Sequence, residues 1–94
     1  MRTDEITFRL KIRGRVQGVG YRAWAKKNAK IHNISGWVKN IRDKSVFMEI
    51  SGNRKNIKLF LSKCYKGPFF SRVDEIISTE KSFKNFAEFE IRYK

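Results

Sequence analysis

Between residues 6 and 16 the apolar side chains share one parity: Ile6, Phe8, Leu10, Ile12 and Val16, with Gly14 in the remaining slot. Thr7, Arg9, Lys11, Arg13 and Arg15 fill the other. A period of two is that of a strand with one buried face and one polar face, here basic. At Tyr21 the period changes. Tyr21, Trp24, Ala25 and Ala29 follow helical spacing to about His32, while Lys26, Lys27 and Lys30 point the other way. Asn33 is a suitable stop, because asparagine tolerates the left-handed conformation that ends many helices. A short second strand is predicted at residues 36–40, then a polar turn, Ile41-Arg42-Asp43-Lys44, and a third strand at 45–51 carried by Val46, Met48 and Ile50. Gly52-Asn53 opens a second helix with Ile57, Phe60, Leu61 and Cys64 on one stripe, and Gly67-Pro68 closes it. Residues 73–79 read as a fourth strand. Ala87, Phe89, Ile91 and Tyr93, alternating with Glu88, Glu90 and Arg92, read as a fifth.

The order is βαββαβ with an extra C-terminal strand. It predicts an α+β fold, a ferredoxin-like sandwich in which one antiparallel sheet packs against two helices. Residues 1–94 are expected to form a single domain. In this topology the first and second strands flank the third and run in the same direction, because a helical crossover joins them. The loop after the first strand and Asn40 at the end of the second are therefore expected at the same edge of the sheet.

Charge narrows the picture less than its size suggests. Twenty-two Lys and Arg against nine Asp and Glu give a net +13 over 94 residues. Such a field draws anions, whether nucleic acid, anionic lipid or a small phosphorylated molecule. The basic residues are spread along the chain, and a lysine-rich proteome alone produces the same excess. The single cysteine, Cys64, excludes an internal disulfide and fits a reducing compartment; its position on the apolar helix stripe reads as core packing. No leader pattern and no apolar run of membrane-spanning length appears. A soluble cytoplasmic protein is expected, a monomer with no membrane partner.

The candidate chemistry lies in Gly14-Arg15-Val16-Gln17-Gly18-Val19-Gly20-Tyr21-Arg22. Its glycines let the backbone turn sharply and expose N–H groups at a helix start, where the helix dipole favours an anion. Arg22 closes the turn with a guanidinium, whose planar fork matches phosphoryl oxygens. A cation in a first helical turn opposes the dipole, so an anion nearby would explain it. No Asp, Glu, His or Cys stands within this loop or within Gly36-Trp37-Val38-Lys39-Asn40. His32 alone cannot build a metal site. Trp37 reads as core or edge packing, and Arg9, Lys11 and Arg13 read as the solvated sheet face.

Together the two stretches resemble the paired signature of the acylphosphatase family, and Gly67-Pro68, Ser71-Arg72-Val73-Asp74 and the closing Phe86-to-Tyr93 segment resemble that family's downstream segments. The resemblance spans essentially the whole chain. It implies hydrolysis of the carboxyl–phosphate bond of acyl phosphates to a carboxylate and inorganic phosphate, with no metal and no cofactor. It implies that Arg22 binds the phosphate and that Asn40 orients the attacking water. The backbone N–H groups of Gln17, Gly18, Val19, Gly20 and Tyr21 would complete the cradle. Phosphate or sulfate would be ligands of the same site. Two departures stand out: Gly20 occupies a position where many members carry an aromatic, and the turn at Asp43-Lys44 lacks a glycine often found there. The alternative readings are a basic ferredoxin-like nucleic-acid-binding domain and an inactive regulatory domain. RNA-binding domains of this topology stack bases on aromatics of the outward sheet face, where this chain offers Arg9, Lys11, Arg13 and only Phe47, so no specific nucleic acid is expected.

Overall fold

The computed structural model describes residues 4–93. Along the chain it contains β1 (Glu5–Arg15), α1 (Tyr21–Ile31), β2 (Ser35–Asn40), β3 (Val46–Asn53), α2 (Arg54–Cys64), β4 (Arg72–Lys81) and β5 (Phe89–Arg92). The strands form one sheet in the order β4-β1-β3-β2-β5, the ferredoxin-like arrangement with its added strand.

The two helices cover one face. Tyr21, Ala25 and Ala29 recur at intervals of four along α1 and are buried, and Ile57, Phe60 and Cys64 are the buried stripe of α2. They meet Leu10, Ile12, Val38, Val46, Met48 and Ile50 from the strands, all with no exposed surface. Helix ends follow local chemistry. Asn53 caps α2 by accepting the Asn56 N–H at 2.8 Å. Asn33 adopts φ 56 beyond α1, and the Ile34 N–H returns to the Ala29 carbonyl at 2.8 Å.

β1 pairs antiparallel with β3, and β3 pairs antiparallel with β2, so β1 and β2 run in the same direction as expected. The added strand differs from an all-antiparallel sheet: β5 pairs with β2 in parallel, Gly36 opposite Phe89 and Lys39 opposite Arg92. Chain direction explains it. β4 runs antiparallel to β1 and ends where β1 begins, with Lys81 opposite Thr7. The chain then crosses the sheet face away from the helices, where the Lys84 N–H donates to the Thr7 hydroxyl at 2.8 Å. It reaches β2 at that strand's beginning and can only continue alongside it.

This crossing changes the face expected to be solvated. Thr7, Glu49 and Ser51 are buried on it. The Glu49 carboxylate, 4% exposed, pairs with Arg9 at 3.0 Å and Lys84 at 3.3 Å. Burial pushes that carboxyl up, but the hydrogen bonds and charges of Arg9 and Lys84 outweigh it and hold the group below the usual glutamate range. Trp37, expected as core or edge packing, is buried with the Arg92 guanidinium 4.9 Å from its ring centroid.

Candidate active site

Because β1 and β2 run in the same direction on either side of β3, the loop leaving β1 and the end of β2 open onto one cavity of about 180 Å³. Its walls are Val16, Gln17, Gly18, Gly20, Tyr21, Arg22 and Ala23 from the loop and the start of α1, Asn40 from β2, and Ile91 and Tyr93 from the C-terminal segment. The sequence-predicted residues thus meet, with one exception. Val19 does not line the cavity; its side chain packs against the core and anchors the middle of the loop.

Gly18 (φ 74) and Gly20 (φ 80) are both left-handed. A Cβ built on either would meet nothing within 4 Å, so backbone conformation rather than crowding calls for glycine. Gly20 is the residue that caps α1, and it brings no side chain to the helix start. Among the described residues the N–H groups of Gln17 to Gly20 have no backbone acceptor, and those of the first turn of α1 are unpaired by construction. The first turn also carries no acidic side chain. The result is a cluster of free donors at the positive end of a helix.

Arg22 forms no ion pair among the described residues; its guanidinium lies 4.9 Å from the centroid of the Tyr93 ring. Asn40 presents a buried Oδ1 with no hydrogen-bond partner. An unmet buried acceptor is costly unless a donor such as water fills it. No carboxylate, imidazole or thiol lines the cavity among the described residues.

Side chains behind the cavity fix these parts. The Gln17 amide donates to the carbonyls of Ile41 and Ser45, each at 2.9 Å, and so ties the loop to the turn after β2. That turn contains no glycine, and Lys44 itself takes the left-handed conformation at φ 76. Asp43 accepts from the Ser45 hydroxyl and N–H and pairs with Lys11 at 2.9 Å, contacts that hold its carboxyl well below the usual range. Tyr21 points away from solvent and donates its hydroxyl to the Cys64 carbonyl at 2.6 Å, fastening the start of α1 to the end of α2. Burial, then the neighbouring Cys64, pushes the phenol far above its ordinary value, and burial pushes the Cys64 thiol up to about 12. Neither group can serve as a proton carrier at neutral pH.

Sequence reasoning did not find Ile91, Tyr93 or the side-chain role of Gln17. The tail alternation places Ile91 and Tyr93 on one parity, but only the crossing of the sheet brings that parity to the cavity. Gln17 carries no local signal at all, since its two acceptors are backbone carbonyls from a distant turn.

Residues 8–91 match the family model described as acylphosphatase. The chain is 45% identical over 80 residues to an acylphosphatase of Leuconostoc mesenteroides, covering 84% of this chain and 89% of that one. It is 35% identical over 89 residues to an acylphosphatase of Bacillus licheniformis, covering 94% and 99%. Its fold superposes on the crystal structure of the Bacillus subtilis acylphosphatase with a TM-score of 0.91 at 34% identity, covering 94% of this chain and 99% of that one.

Proposed function

The chain belongs to the acylphosphatase family, enzymes that hydrolyse acyl phosphates, and we propose that Arg22 and the 17–21 loop bind the phosphoryl group while Asn40 orients the attacking water, without a metal. The observation that carries this reading is the pairing, in one cavity, of an unpaired guanidinium and free N–H donors with an unmet buried acceptor. The donors and Arg22 supply positive charge for the three phosphoryl oxygens, the part a metal ion plays in other phosphoryl transfers. Among the described residues no group of three His, Cys, Asp or Glu could hold a metal ion. Asn40 Oδ1 accepts a hydrogen bond from the water and turns its lone pair toward phosphorus, in line with the departing oxygen.

The absence of a general acid or base from the described lining suits this bond. A carboxylate is weakly basic and leaves without protonation. A loose transition state asks little of the nucleophile. Water adds its oxygen to phosphorus, the bond from phosphorus to the acyl oxygen breaks with its electron pair going to the carboxylate, and the water proton passes to a phosphoryl oxygen. Acyl phosphate and water become carboxylate and dihydrogen phosphate with charge balanced. A cytoplasmic setting is consistent with the free buried thiol.

Benzoyl phosphate hydrolysis, measured with a chelator present, tests the assignment. Asn40→Ala is expected to lower kcat at least about 100-fold while inhibition by inorganic phosphate persists. Arg22→Gln should weaken both turnover and phosphate inhibition. The wild-type rate should be flat across neutral pH, since the described lining holds no carboxylate, imidazole or thiol; a limb near the histidine range, or full activity in both variants, would refute the scheme.

A further inference from the structure

We propose that the solvent face of α2, together with the Phe69–Phe70 turn that follows it, is a docking surface for an anionic lipid membrane. The chain contains no Asp or Glu from Arg54 to Arg72. Arg54 and Arg72 at the two ends are satisfied by Glu80 and Asp74, each at 2.9 Å. Lys55, Lys58, Lys63 and Lys66 between them are exposed and have no acidic partner among the described residues. Lys55 and Lys58 lie on the side of α2 away from the buried Ile57, Phe60 and Cys64, Lys63 flanks that stripe, and Lys66 follows just past the helix end.

Beyond the helix, Phe69 is 91% exposed and Phe70 is 72% exposed, with their ring centroids 5.0 Å apart at 84°. Tyr65, just before them, is 54% exposed. Single exposed apolar residues are ordinary, but two adjacent phenylalanines held out together are not. The turn is built rather than loose: the Gly67 N–H donates to the Lys63 carbonyl at 3.0 Å, and the Ser71 hydroxyl reaches the carbonyls of Pro68 at 2.7 Å and Lys66 at 3.0 Å. Lys55 and Lys58 also rim an apolar groove of about 530 Å³ floored by Phe8, Ile57 and Leu61.

Unpaired lysines beside projecting apolar rings match a surface that is negative outside and oily beneath, the two signals that stable peripheral attachment needs. A second copy of this chain would meet the lysines with its own, and like charges repel. Nucleic acid fits less well: the free cations on this face are all lysines, without the arginine fork that reads phosphate and base edges. The edge-to-face phenylalanines also occupy one ring face with each other rather than with a base. With 11 residues α2 lies on such a surface and does not cross it. Such attachment departs from the expectation of no membrane partner.

Flotation with phosphatidylcholine vesicles, with and without phosphatidylserine, tests the proposal on the full chain. Binding is expected only with phosphatidylserine and should weaken with salt. Phe69→Ser/Phe70→Ser should weaken it about tenfold per ring, and Lys58→Gln/Lys63→Gln/Lys66→Gln about fivefold per lysine. Lys26→Gln/Lys27→Gln/Lys30→Gln, which removes equal charge from α1, should change it little, and all three variants should keep benzoyl phosphate turnover, which reports folding. No binding to phosphatidylserine vesicles overturns the proposal, as does unchanged binding in the phenylalanine variant or equal loss in the α1 variant. Displacement of the protein from vesicles by single-stranded RNA at equal charge concentration would replace it with a nucleic-acid surface.

Discussion

At the scale of single residues, the site depends on side chains left without partners. Asn40 Oδ1 is buried and unmet, and Arg22 touches an aromatic ring where an acid might have neutralised it. A carboxylate beside Arg22 would compete with the phosphoryl group; the Tyr93 ring restrains the guanidinium and leaves its N–H fork free. Tyr93 is itself 77% exposed, so its contribution is modest. Tyr93→Ala is expected to raise KM and the inhibition constant of phosphate about two- to fivefold with kcat nearly unchanged, as steady-state kinetics would show. Gly20 bears on the same point. Its φ of 80 would strain a residue with a Cβ, so glycine relaxes the backbone at the mouth of α1.

The elements bring the loop and the amide together, and two turns hold them there. Gln17 bridges the loop after β1 to the turn after β2 through two carbonyls, and Asp43 closes that turn around Ser45. Lys44 takes a left-handed conformation that costs a residue with a Cβ about 1 kcal/mol. Lys44→Gly should therefore stabilise the protein by up to about 0.5 kcal/mol, after the extra entropy glycine gains in the unfolded chain, and raise Tm by about 2–4 °C in a thermal melt. The helices, β1 and β3 were legible because each has a period, of two or near four, and a punctuating residue such as Asn33, Asn53 or Gly67-Pro68. What stayed hidden at this scale was pairing direction. Phe89 and Ile91 alternate equally well in a parallel or an antiparallel strand, and no local signal separates the two.

Across the whole molecule, the segment between β4 and β5 connects a buried ion pair to the site. It crosses from one edge of the sheet to the other over Glu49, and only then can β5 deliver Ile91 and Tyr93 to the cavity. Glu49→Ala leaves Arg9 and Lys84 facing each other without their anion. A loss of about 2 kcal/mol is expected, seen as a Tm lower by about 10 °C. The same carboxylate sets a pH dependence. Its folded value lies below the ordinary one, so its stabilisation is complete above the usual glutamate range, near pH 4, and is lost as pH falls through the folded value. Asp43 and Asp74 shift in the same direction. Denaturant midpoints should thus stay level at neutral pH and drop in acid, and the acid drop should be smaller in Glu49→Ala.

By itself the sequence determined the strands and helices, the loop with its glycines and Arg22, and the nearness of Asn40, because crossover handedness and strand order follow from local pattern. Tertiary structure alone decided that the tail runs parallel to β2, that the basic face is partly roofed with Glu49 beneath it, and that Tyr93 rests on Arg22. Those facts depend on where the chain must travel after β4 and on contacts between residues far apart along it, such as Thr7 with Lys84, which leave no period in the sequence to read.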